Sequence, residues 1–456
     1  MAIITLLLSI VIGALLSSSF GAVCEFILLL VINLLIIAFF CSHDNYARTM
    51  NVFATLMGCY FVYACFCHAY RMANGYTFFG SFDGLRYYIP QTIRLLNFED
   101  ITDVIRAIYS DDSTLPLKHG GSIFVYFYLI GKFAVWANVD IFFAIQISLM
   151  PFAAMMCAVQ YNLLLRFGLP RNSAYKWSII FGLCSALFWL SSFVVRDLPI
   201  SLAYSIAIYQ IFSSAPFLRR LLWGCLSAAV VLTLRLASSL ALVPIVLLAV
   251  FRNSERKSVR YGLLGMFLAA VIVFGGGDIF VDELLSKQQG YLGIELRDQG
   301  GNSLLSAFND LPFGVSHVAK TIYAQFHPIP AWRNMITNSE DVIAKSAYNI
   351  ARFPDLWVVF FRITGMLILI YGCLKHSIRE KLFENKPLMY SFNYALLLLI
   401  LQSTTIEERR KLGVYPLLFL VIVLCWERTP PMTRRRILLL SAFLFVLLQI
   451  LGLSKL

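Results

Sequence analysis

Charge is scarce in this sequence. Aspartate, glutamate, lysine and arginine make up 14% of the 456 residues, hydrophobic residues make up 59%, and the mean hydropathy is +0.76. So few charged residues are not typical of a soluble protein of this length. The apolar residues form runs of roughly 15–25 residues, long enough for a helix to cross a bilayer and too long for barrel strands. The sequence therefore predicts an all-α, polytopic membrane protein.

Signatures of nucleophiles, cofactors and metals are also missing. There is no GxSxG, Walker A, HExxH or CxxC motif, which disfavours an ATP-driven pump or a zinc protease. The ten cysteines all lie in apolar runs or at their ends. Neither a disulfide framework nor a metal ligand set is indicated, and we expect no cofactor and no metal.

Basic residues outnumber acidic residues, which gives a net charge of +12. In a soluble protein this excess would suggest a nucleic-acid partner. Here the basic residues cluster in short segments between apolar runs, mainly 252–260, 375–386 and 427–436. That pattern is typical of cytoplasmic loops, so we expect it to set membrane orientation, with the lipid bilayer and not nucleic acid as the partner.

The apolar runs predict about 12–14 transmembrane helices in a single membrane domain, residues 1–456. No basic segment precedes the first run, and a second follows directly, so we expect a retained span and not a cleaved signal peptide. The expected spans are 2–20, 22–41, 50–70, 120–137, 140–165, 175–193, 198–214, 221–234, 236–251, 261–277, 354–374, 388–403, 412–426 and 437–453.

Two long polar loops interrupt this series, residues 73–118 and 278–351. Loops this long are usually functional. With the basic loops in the cytoplasm, 278–351 falls outside. For 73–118, counting crossings forward from a cytoplasmic N-terminus and backward from 252–260 gives opposite sides. We expect the ambiguity to lie in 120–165, where one run could be re-entrant or interfacial, or two runs could be wrongly divided.

The first loop carries a possible general base. Asp83 is followed by Arg86, Tyr87 and Tyr88. A carboxylate at a membrane surface can take the proton of a hydroxyl group, and the tyrosines and the arginine could bind a sugar. The alternative is a turn aspartate followed by an interfacial aromatic belt.

Cations interrupt later apolar runs, where charge is costly and is a candidate for function. Arg196 could hold a phosphate or saccharide and Asp197 could orient it, or the two could neutralise each other at a turn. Arg235 stands alone among some thirty apolar residues, so it must face a polar cavity, an acid or an interface. Lys118 and His119 could meet a lipid phosphate or extend toward the interface.

Two further segments offer substrate-binding residues. Pro328 and Pro330 favour an extended chain that leads to Trp332 and Arg333, which suit sugar stacking and phosphate binding or could anchor the chain at the interface. Arg409 and Arg410 could hold phosphate through bidentate contacts or belong to a solvated turn.

The order of these features resembles the bacterial multi-span glycosyltransferases of the GT-C type and the related O-antigen and exopolysaccharide polymerases. The matching features, in chain order, are Asp83 with Tyr87 and Tyr88, then Arg196 with Asp197, then Pro328 to Trp332, and last the charged turn from Glu408 to Pro416. No DxD pair follows Asp83, and no family motif is complete.

The resemblance implies catalysis at the outer face of the bacterial cytoplasmic (inner) membrane, and for this reason we expect both long loops, 73–118 and 278–351, to be extracytoplasmic. The donor would be a saccharide linked to polyprenyl phosphate or diphosphate, Asp83 would activate the acceptor, and the external arginines would bind the phosphates. Two alternatives stay open: a transporter or flippase of a lipid-linked saccharide, although no repeat is evident, and a non-catalytic membrane protein of an envelope polysaccharide-assembly complex.

Overall fold

The computed structural model describes residues 2–40, 45–75, 84–109, 121–251, 308, 311–332, 352–401 and 411–453. This part of the chain is almost wholly helical and contains no strand, which confirms the predicted all-α class. Six of its helices are long and apolar enough to cross a membrane, as expected of a multi-pass membrane protein.

We number the helices in chain order. They are α1 (Ala2–Ser17), α2 (Phe20–Phe40), α3 (Tyr46–Ala73), α4 (Ile89–Leu95), α5 (Ile101–Tyr109), α6 (Ile123–Trp136), α7 (Ile141–Arg166), α8 (Arg171–Leu183), α9 (Leu187–Leu190), α10 (Asp197–Phe212), α11 (Phe217–Leu234), α12 (Leu236–Phe251), α13 (Phe313–Phe326), α14 (Asp355–Leu374), α15 (His376–Phe383), α16 (Lys386–Leu401), α17 (Tyr415–Arg428) and α18 (Pro431–Leu453). A short π-helical segment, Gly84–Tyr88, precedes α4.

Helix α7 lies at the centre of the helices in the N-terminal half of the chain. It is apolar on all sides, as a helix surrounded by others should be, and it packs against α2, α3, α6, α8 and α10. Its first turn is capped by Asp140, whose carboxylate accepts a hydrogen bond from Phe143 N at 2.8 Å. Small residues bring α1 close to α3, because a methyl group at Gly58 would lie only 2.6 Å from Ser9 Oγ.

The predicted span 175–193 is interrupted in the structure. Helix α8 ends at Leu183, a single turn of helix follows as α9, and α10 begins only at Asp197. Serine side chains satisfy the local backbone at the break: Ser185 Oγ accepts from Leu187 N at 3.3 Å, and Ser191 Oγ donates to Phe188 O at 2.7 Å. Such local bonds compete with a continuous helix.

Helices α11 and α12 form an antiparallel hairpin. Arg220 Nη1 near the start of α11 donates to Ala249 O near the end of α12 at 2.9 Å. A methyl group at Gly224 would lie 2.7 Å from Val246 Cγ1, so the arms touch closely. Between them Arg235 alone is extended, with φ −162° and ψ 109°. We call the turn around this residue the apex.

Helix α6 begins beside the apex. Ser122 N donates to Thr233 O at 3.4 Å, and Ser122 Oγ donates to Thr233 Oγ1 at 2.9 Å. After α6, the turn through Ala137 and Val139 packs against Gly21 at the start of α2. Because α6 has only 14 residues, about 21 Å of helix, it does not run from one end of the bundle to the other.

Helices α7, α12, α14 and α17 finish at one end of the bundle, which we call the basic end. Arg166 at the end of α7 hydrogen-bonds Ser214, just before α11 begins. Trp177 Nε1 near the start of α8 donates to Glu427 Oε1 near the end of α17 at 2.8 Å. The predicted cytoplasmic loops follow α12, α14 and α17, whereas α3 ends and α14 begins at the opposite end.

Candidate functional site

The apex holds a buried ion pair. Asp197 is the first residue of α10, and its Oδ1 lies 2.9 Å from Arg235 Nη1, with 5% of the aspartate side chain and 25% of the arginine side chain exposed. The two residues are far apart in sequence and meet because the hairpin brings Arg235 to the start of α10. Pairing compensates the cost of placing each charge in this apolar setting.

The depth of this pair follows from contacts along α7. Gln146 Nε2 donates to Ser192 O at 2.5 Å, and Phe167 packs edge-on against Phe212. Helices α7 and α10 are therefore parallel, and Asp197 lies beside the middle of α7. At 1.5 Å per residue this is roughly 15 Å along α7 from its first residue, within the thickness of a bilayer.

Arg196 differs from its neighbours because no described acid neutralises it. Its Nη1 donates to Leu234 O at 3.1 Å, and its Nε is buried without a hydrogen-bond partner among the described residues. The alternative in which Arg196 and Asp197 neutralise each other is therefore not observed, since Asp197 pairs with Arg235. Among these three residues, two arginines and one carboxylate carry one excess positive charge.

The two tyrosines of the first loop reach the apex region. Tyr87 packs edge-on against Tyr88 and Phe124, with ring centroids 5.4 Å apart in each pair. Burial raises the pKa of the Tyr87 phenol, and the Arg196 guanidinium opposes this rise by stabilising the phenolate. Tyr88 is only 4% exposed, so Tyr87 is the better placed of the two to touch a ligand at Arg196.

Tyrosines from two other helices hold the first turns of α12. Tyr204 Oη donates to Ser238 O at 2.5 Å, and Tyr394 Oη donates to Ala241 O at 2.8 Å. Gly413 lies against the Tyr204 ring, where a methyl group would be 3.0 Å from Cγ. The end of the predicted charged turn therefore packs next to the apex, and Lys411 within it is fully buried.

Trp332 belongs to a different part of the bundle. The chain leaves α13 in an extended conformation at His327, as the prolines predict. Ala331 then packs on Val359 and Ile363 of α14, and its N–H donates to Gln449 Oε1 of α18 at 2.6 Å. The remaining predicted site residues lie outside the described part of the chain: Asp83, Lys118, His119, Arg333, Arg409, Arg410 and the side chain of Arg86.

A second buried ion pair was missed by the sequence interpretation. Arg352 Nη2 and Asp355 Oδ2 are 2.6 Å apart at the start of α14, and the aspartate side chain is fully buried. The Arg352 guanidinium also lies over the Trp189 ring, 4.0 Å from its centroid. The i, i+3 spacing of opposite charges just before an apolar run was the available signal.

Two other charged groups were also missed. Arg71 Nη2 lies 2.8 Å from Asp140 Oδ1 and joins the end of α3 to the start of α7. Glu25, in α2, is 1% exposed, and neither of its carboxyl oxygens has a hydrogen-bond partner among the described residues. An acid alone in an apolar run is a signal readable from sequence, but its position shows no link to the apex.

The chemistry available at the apex is the binding of an anion. Arg196 and Arg235 supply guanidinium donors, which suit phosphate oxygens, and Asp197 fixes Arg235. The described residues contain no group of three or more His, Cys, Asp or Glu side chains able to hold a metal ion. Comparisons with protein-family models, with curated proteins and with solved structures found no match for this chain.

Proposed function

We propose that this protein is a membrane glycosyltransferase or polysaccharide polymerase. It would transfer a saccharide from a polyprenyl-(di)phosphate-linked donor at the outer face of the bacterial cytoplasmic membrane, during the synthesis of a cell-surface polysaccharide. The observation that carries this proposal is the excess cation at the apex: Arg196 has no acidic partner among the described residues. An unneutralised arginine at membrane depth suits a ligand that is both anionic and confined to the bilayer.

The arrangement of the helices supports an outer placement of both long loops. Because α6 starts at the apex and finishes near the start of α2, the chain from α3 to α7 leaves and returns at the same end of the bundle. Counting forward from a cytoplasmic N-terminus and backward from 252–260 then gives the same side. We propose that α6 is the re-entrant segment and that 73–118 and 278–351 are extracytoplasmic.

The proposed reaction is a displacement at the anomeric carbon of the donor. The bond from that carbon to the phosphate oxygen breaks, and a bond to the acceptor hydroxyl oxygen forms. Arg196 and Arg235 would stabilise the negative charge that develops on the leaving phosphate, while Asp197 keeps Arg235 in position. Asp83 would take the proton of the acceptor hydroxyl, and Tyr87 would contact the sugar.

Replacement of Arg196 by alanine tests this proposal. We expect transfer from a polyprenyl-diphosphate saccharide by the purified protein to fall about a hundredfold or more, as when a donor to a developing oxyanion is lost. Arg196→Lys should recover only part of the activity, because lysine cannot form the bidentate contact. Arg106→Ala is the matched control, since its side chain is 83% exposed. Full activity of Arg196→Ala would rule out the proposed role.

A flippase is the second candidate, and the broken helices favour it. The α8–α10 interruption and the α11–α12 apex place irregular backbone within the bundle, as in many transporters. The two functions differ in product: a flippase moves the lipid-linked saccharide across a vesicle membrane and leaves it chemically unchanged, whereas a transferase yields a new glycosidic bond that mass spectrometry of the product detects.

A further inference from the structure

An apolar cavity of about 440 Å³ lies between helices α8, α13, α14, α16, α17 and α18. Its wall is made mostly of aliphatic and aromatic side chains, and it lies alongside two of the candidate membrane spans, α14 and α18. A cavity with this lining inside a bilayer suits hydrocarbon and not water. Its two ends differ in chemistry, and this difference indicates how a ligand would lie in it.

Aromatic rings close the cavity toward the basic end. The Trp177 ring packs edge-on against Phe419 and Trp426, with ring centroids about 6 Å apart in both pairs. Trp177 is fixed by its hydrogen bond to Glu427 Oε1 at 2.8 Å, and the Arg434 guanidinium lies 5.5 Å from the Trp426 ring centroid. The three rings form a floor, and Glu427 and Arg434 behind them are not among the residues that line the cavity.

The other end of the cavity lies toward the apex, although neither Arg196 nor Arg235 lines it. Its wall there includes Ser185, which precedes the α8–α10 break, and Tyr415, the first residue of α17. Tyr415 follows Gly413, which packs on Tyr204, and Tyr204 is bonded to Ser238 in the first turn of α12. The lining thus carries Ser185, Arg362 and Tyr415 away from the floor and aromatic rings at the floor, which is the polarity of an outer-leaflet lipid.

We propose that this cavity binds the first isoprene units of the lipid carrier, with the phosphate at Arg196 and Arg235 and the chain pointing toward the floor. A cavity of about 150 Å³ holds benzene, so this one has room for about 18 carbons, or three to four isoprene units. The length of the cavity also suits a chain of this size, because Tyr415 and Trp426, which line its two ends, are separated by about 16 Å of helix. This inference rests on the proposed function and adds that the protein binds only the first three to four isoprene units of the carrier chain.

Binding of lipid phosphates of increasing length tests the inference on the unaltered protein. Geranyl, farnesyl and geranylgeranyl phosphate are titrated into the protein in amphipol, and the dissociation constants are measured by thermophoresis. We expect about a tenfold gain in affinity from geranyl to farnesyl phosphate and less than a threefold further gain to geranylgeranyl phosphate. Equal affinities across the series, or pentadecyl phosphate binding as tightly as farnesyl phosphate, would overturn it.

A pair of tryptophan substitutions on α14 locates the chain. Leu369 lines the cavity, whereas its neighbour Ile370 is 47% exposed on the outer surface of the helix. Leu369→Trp should weaken farnesyl phosphate binding about tenfold, and Ile370→Trp should leave it unchanged. Equal binding by both variants contradicts the cavity assignment. If Leu369→Trp fails to fold in a thermal melt, the chain-length series still decides.

Arg196→Ala separates this inference from the function on which it rests. This substitution should weaken the binding of all three isoprenyl phosphates to a similar degree, because it removes a contact to the phosphate and not to the chain. If Arg196→Ala weakens binding and Leu369→Trp does not, the function stands and the cavity inference is wrong. If Arg196→Ala leaves binding unchanged, the proposed phosphate site is wrong as well.

Discussion

At the scale of single residues, the site depends on uneven neutralisation of three charges. Arg196 and Asp197 are neighbours in sequence, yet Asp197 pairs with Arg235 at 2.9 Å. Consecutive residues at the start of a helix point in different directions, so adjacency does not make an ion pair. The consequence is that Arg196 has no acidic partner among the described residues, whereas Arg235 is held in place by a buried acid.

Replacing Asp197 should be costly for stability. Asp197→Asn removes the negative charge that pairs with Arg235, and breaking a buried pair in this way costs about 3–5 kcal/mol. We expect a clearly lower midpoint of thermal unfolding for the purified protein, followed by intrinsic fluorescence. The control is Asp103→Asn, which removes an exposed partner lying 3.6 Å from Arg106. A melting midpoint equal to that of the control would mean that the apex pair does not stabilise the fold.

At the scale of helices, the site forms where helices are interrupted or begin within the bundle. The α8–α10 break, the α11–α12 hairpin and the start of α6 meet at the apex, where Ser122 hydrogen-bonds Thr233. Gly121 lies at this junction with φ +50°, and a methyl group there would collide with Thr233 O. Glycine is favoured by the left-handed backbone at this position, and the close approach of Thr233 O leaves no room for a side chain.

A pair of glycine substitutions separates these two requirements. Gly168 also has a positive φ, +80°, but nothing lies within 4 Å of the methyl group that alanine would add. Both Gly121→Ala and Gly168→Ala carry the backbone strain, of order 1 kcal/mol. Only Gly121→Ala displaces the apex, so it should lose most saccharide transfer while Gly168→Ala retains it. Similar activity in both variants would show that this contact does not position the site.

At the scale of the whole molecule, the helices that precede the three basic loops all end on the same side of the bundle. The three basic loops follow α12, α14 and α17, and contacts such as Trp177 to Glu427 bring the ends of these helices together. The apex and the polar end of the cavity lie toward the opposite end. A lipid-linked anion would therefore enter from the side that lacks the basic loops, as the proposed function requires.

Labelling of introduced cysteines tests this orientation. Arg106→Cys lies in α5, where the native side chain is 83% exposed, and Arg379→Cys lies in α15, at the basic end. A membrane-impermeant maleimide should label the first in intact cells and the second only after permeabilisation. Wild-type protein serves as the control for the native cysteines. The reverse pattern would place the apex toward the cytoplasm and exclude an outer-leaflet donor.

Much of the fold was predictable because helix formation in a membrane is a local matter. The boundaries of α2, α7, α11 and α12 follow the apolar runs within a few residues, since a backbone in lipid must satisfy its own hydrogen bonds. The break within 175–193 was not predicted, because Ser185 and Ser191 stop the helix through hydrogen bonds that composition does not reveal. Trp332 was grouped with the arginines by residue type, although the preceding residue, Ala331, packs on α14 and hydrogen-bonds α18.

The sequence by itself determined that this is a helical membrane protein. It also determined that Arg196, Asp197 and Arg235 lie in apolar runs, where a charge costs free energy and is a candidate for function. Tertiary structure alone decided which of them are paired and which residues surround the cavity. The physical cause is one of range: the hydrophobic effect and backbone hydrogen bonding act on contiguous runs of sequence. Ion pairs and cavities depend on contacts between distant helices, such as the hairpin that brings Arg235 within 2.9 Å of Asp197.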